Sequence, residues 1–111
     1  MIGPDEVDNA YTMLKDAREY LGRMHESFVK AEIEYREQTD PLYANLTGKN
    51  EAARNAELNL MVHDAVCDLD DAKKELDHAK KLYDLATFEV KRVEAQLLLL
   101  QVMPMVKVKD L

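Results

Sequence analysis

The sequence predicts an all-α protein: an antiparallel two-helix coiled-coil hairpin that assembles further into a helical bundle. Three observations carry that expectation. Apolar residues recur at alternating steps of three and four over two long segments, the spacing that keeps one stripe of a helix against a neighbour. Glycine and proline number three each among 111 residues, and all but Gly22 and Pro104 fall before or between those segments. Within the stripes large side chains alternate with alanine, which suits two helices whose axes lie close together.

The first helix is expected over about 4–39. Gly3-Pro4 opens it, since proline in a first helical turn lacks only an N–H that would be unpaired anyway. Asp5 and Glu6 then meet the positive end of the helix dipole. Its stripe is Val7, Ala10, Leu14, Ala17, Leu21, Met24, Phe28, Ala31 and Tyr35. Asp40-Pro41 stops it, because the residue before a proline avoids the helical region. Gly22 lies off the stripe in mid-helix, at a cost of about 1 kcal/mol relative to alanine.

A linker over 40–50 follows, "DPLYANLTGKN". Gly48 is expected to take a positive φ in a tight reversal, and Asn50 to cap the next helix with Glu51 in its first turn.

The second helix is expected over about 51–103, with a short unstructured tail at 104–111 after Pro104. Its stripe is Leu58, Val62, Ala65, Leu69, Ala72, Leu76, Ala79, Tyr83, Ala86, Val90, Val93, Leu97 and Leu100. Acid-first pairs four residues apart support both helices: Glu19 and Arg23, Glu26 and Lys30, Glu32 and Arg36, Asp70 and Lys74, Asp77 and Lys81. Each is worth about 0.2–0.5 kcal/mol.

The two helices differ in length. At 1.5 Å per residue they reach about 50 and 75 Å, which places Val7 beside Tyr83 or Ala86 and leaves the later part of the second helix without a partner in its own chain. That part is also apolar on its opposite face, at Leu85, Phe88, Ala95, Leu99 and Val102, with Arg92 as the one break. A helix apolar on all sides is normally buried. The expected self-association residues are therefore Leu85, Phe88, Val90, Val93, Leu97, Leu99 and Leu100, and the expected state is a homo-oligomer, a dimer or higher.

Composition narrows the function. The net charge of -7 disfavours direct binding of nucleic acid, which needs clustered Lys and Arg against phosphates. The start of the chain lacks the basic and apolar regions of a signal peptide. The run Leu97–Leu100 is far short of the ~20 apolar residues that cross a bilayer. With a single cysteine and no disulfide framework, the expected location is cytoplasmic.

No catalytic residues are expected. Glycine-rich phosphate loops, nucleophile elbows and convergent acid–base pairs are all missing. His63 and Cys67 share one helix face, but zinc normally takes four ligands, so no metal and no cofactor are expected. Between Asn55 and Ala72 there is no Lys or Arg, and Asp64, Asp68 and Asp71 fall on one side with Glu57. That face is a solvated surface by default. It also suggests an acidic inhibitor filling the basic nucleic-acid groove of a partner protein. Tyr43, Lys49 and Arg54, around the linker, are further candidates for contact with an unknown protein partner.

The stretch Thr47, Gly48, Lys49, Asn50, Glu51 and Arg54, a "TGKNExxR" pattern between helical segments, resembles small proteins encoded by bacteriophages and prophages. The resemblance covers the linker and the helical pattern after it, and implies a phage accessory protein without catalytic residues. The hairpin outline is also similar to small secreted proteins of the WXG type, but the turn here has no Trp-x-Gly. The expected function is non-enzymatic: an oligomeric scaffold, adaptor or virion-associated component.

Overall fold

A computed structural model describes residues 3–109, and side-chain surroundings within 3–101. Among the described residues every regular element is helical: α1 (Pro4–Thr39), a 3-10 helix (Asp40–Asn45), α2 (Glu51–Met61) and α3 (His63–Lys109). The protein is all-α.

At the start of α1 the Gly3 carbonyl accepts from the N–H groups of Glu6 at 3.1 Å and Val7 at 3.3 Å. At its end Thr39 is buried, and its hydroxyl donates to the Arg36 carbonyl at 3.4 Å. Pro41 cannot supply the next N–H, so the backbone tightens into the 3-10 turn.

The approach to α2 is held from both ends. Asn50 is extended, and its side chain accepts from the Ala53 N–H at 2.8 Å, the expected N-cap. The Glu57 carboxylate reaches back to accept from the Thr47 N–H at 3.0 Å, the Thr47 hydroxyl at 3.1 Å and the Gly48 N–H at 3.0 Å. Gly48 does not have the positive φ expected of it. Its glycine is required by proximity instead, since a Cβ there would lie 2.6 Å from the Arg54 backbone nitrogen and 2.8 Å from the Ala53 carbonyl carbon. Because both obstacles are backbone, Gly48→Ala is expected to destabilise by about 1–3 kcal/mol, the usual cost of overpacking. Urea unfolding measures it.

Two boundaries depart from the sequence-based expectation. The second helix is divided at Val62, with φ -118° and ψ 40°, although no proline or glycine stands near. The ladder resumes at once, because Val62 N–H still donates to Leu58 at 3.1 Å and Val66 N–H to Val62 at 3.0 Å. Helix α3 also runs through Pro104 to Lys109, so most of the expected tail 104–111 is helical. A proline removes one donor from a ladder that continues a turn later. The last two residues of that tail lie outside the described residues.

The chain forms two compact units. One contains α1 up to Leu21 and α3 from Ala79 onward. Its core is Ala10, Val90 and Val93, with Val7, Leu14 and Leu97 packed against them, while Ala17, Ala79 and Ala86 are also buried. The other, Gly22–His78, buries Thr39, Leu58, Val62, Ala65 and Leu76. In both units the stripe positions read from the sequence are buried or half-buried.

This packing corrects the register. Val7 joins a cluster with Val90 and Val93 rather than the level of Tyr83 or Ala86, and the later part of α3 has a partner in its own chain as far as Leu97. At the turn, Glu51–Ala56 are all exposed, and Leu58 is the first buried residue of α2.

Gly22 is exposed, and a Cβ there would meet nothing within 4 Å. No neighbouring element explains it. Gly22→Ala is expected to raise stability by about 0.5–1 kcal/mol, through helix propensity and a less flexible unfolded chain, seen as a higher thermal midpoint.

Candidate functional site

The surface that remains to be explained lies on α3. Ala86, Val90, Val93 and Leu97 turn one stripe of this helix toward α1. Leu85, Phe88, Arg92, Ala95 and Leu99 follow the same three-and-four spacing on the opposite side. Phe88 is 73% exposed, Leu85 61% and Leu99 60%. Leu98, next to Leu99 and likewise off the stripe, is 61% exposed.

Arg92 is the one charge inside this face. Glu89 neutralises it from the preceding turn: Arg92 Nε donates to Glu89 Oε2 at 3.0 Å, and a second guanidinium nitrogen pairs with the other carboxylate oxygen. That hydrogen bonding holds the Glu89 carboxyl below its ordinary pKa, and Arg92 above its own.

The expected association residues therefore separate into groups. Leu85, Phe88 and Leu99 are exposed, as association requires. Val90 and Val93 are not surface residues, because they are buried against Ala10, and their expected availability to a second chain is corrected. Leu97 is half-buried against the same cluster, and Leu100 is half-buried.

Beside this face, Asn9, Thr12, Met13, Asp16 and Ala17 of α1 form a shallow groove with Leu82 of α3. On the other flank of the pair the Tyr11 hydroxyl donates to Glu94 Oε1 at 3.1 Å. The hydrogen bond, and then the carboxylate charge, favour the neutral phenol and hold its pKa above the ordinary tyrosine value. A raised pKa means that this contact contributes at all pH values below the ordinary one and is lost as pH rises through the raised one. In Tyr11→Phe the displaced alkaline component of the phenolate absorbance titration is expected to vanish.

The remaining candidates are spread over the other unit. Tyr43 is exposed on the 3-10 helix, Lys49 in the linker and Arg54 in the first turns of α2. Asp64, Asp68 and Asp71 are exposed on α3, but Glu57, which sequence spacing placed on the same side, is occupied by the linker. Cys67 Sγ lies 3.6 Å from His63 Nε2, both exposed. Among the described residues no group of three or more His, Cys, Asp or Glu is placed to hold a metal ion. Sequence reasoning missed Leu60, an outward residue of α2 that is 80% exposed. It also missed the clamp made by Glu57, which lies nine and ten residues beyond its donors Gly48 and Thr47, a separation that no helical spacing reports.

Among the described residues no helix is long and apolar enough to cross a membrane. Comparison with protein-family models, with curated proteins and with solved structures finds no match to this chain.

Proposed function

We propose that this chain is a non-enzymatic coiled-coil protein that works as a homo-oligomer: a scaffold, adaptor or virion-associated accessory component, encoded by a phage. Its helices pair as an antiparallel hairpin. In the unit containing the start of α1, Glu6 and Ala10 share a groove with Glu89 and Arg92, whereas Asp16 and Ala17 share one with Leu82. Partner numbers fall as α1 advances, which is the sense of an antiparallel pair.

The observation that carries the reading is the exposed face of Leu85, Phe88, Leu98 and Leu99 behind a seam already filled by the chain itself. Exposed apolar side chains gathered on one helix mark association, and a hairpin only two helices thick has little core of its own. The phage origin rests on the linker pattern from Thr47 to Arg54. Gly48 and Asn50 of that pattern have local structural roles here, in the close approach to Arg54 and the cap of α2.

The exposed Asp64, Asp68 and Asp71 favour a second reading, an acidic inhibitor of a basic groove. Light scattering separates the two. Neutralising all three aspartates to asparagine is expected to leave the assembled mass unchanged, and Leu99→Glu to reduce it to one chain. Loss of mass in the asparagine variant would place self-association on the acidic face instead, and an unchanged mass in Leu99→Glu would overturn the reading of α3.

A further inference from the structure

We draw no further inference here: the strongest candidate, the shallow groove along α1 where the exposed Val29 and Ile33 lie among Glu26, Lys30, Glu34 and Glu37, is an unpartnered apolar face, and nothing in the structure shows what covers it.

Discussion

Phe88→Glu is expected to release single chains while leaving their helix content intact. Phe88 is 73% exposed, so the side chain makes little contribution to the core of its own chain. In an assembly it would be covered, and covering a phenylalanine is worth about 2 kcal/mol or more. The substitution removes that term from both copies of a symmetric pair and adds carboxylates that resist leaving water. A loss of about 4 kcal/mol corresponds to roughly a thousandfold weaker association. Size-exclusion light scattering reads the mass and circular dichroism the helix. Unchanged mass would place association elsewhere, whereas lost helix would mean that Phe88 belongs to the folded core.

Leu58→Ala is expected to have the opposite character, lowering the stability of the fold itself by about 2–5 kcal/mol, as for other leucines removed from a core. Leu58 is 1% exposed and Leu60, two residues on, is 80% exposed. Leu60→Ala is accordingly expected to change stability by no more than about 0.5 kcal/mol. Chemical denaturation of the pair gives the difference directly. Similar values for both would contradict the seam register of α2.

That register was legible because it depends on a short-range rule. A three-and-four spacing fixes which residues share a face, and the stripe residues from Val7 to Tyr35 and from Leu58 to Leu100 are buried or half-buried. The ends of α1 and the N-cap of α2 were legible for a similar reason, since Pro4, Pro41 and Asn50 act on their immediate neighbours.

What the sequence concealed was longer in range. The register of α1 against α3 and the closure of the linker onto Glu57 by Thr47 and Gly48 both depend on contacts between residues far apart in sequence. No periodicity reports such a contact. Val90 and Val93 were consequently assigned to a surface when they belong to the core of the chain. The same error hid the division of labour on α3, where one stripe completes the fold and only the other is free. Gly48 shows a second limit. A glycine signals unusual backbone freedom or close approach, and only the 2.6 Å distance to the Arg54 nitrogen decides for the second.

The central claim is that the chain works as an assembly of copies of itself. Sedimentation equilibrium of the unaltered protein between about 1 and 100 μM tests it most directly, a range in which a specific interface of micromolar strength or better is populated. The expected result is a mass at a whole multiple, two or more, of the 12.8 kDa chain. A single-chain mass across the whole range would contradict it.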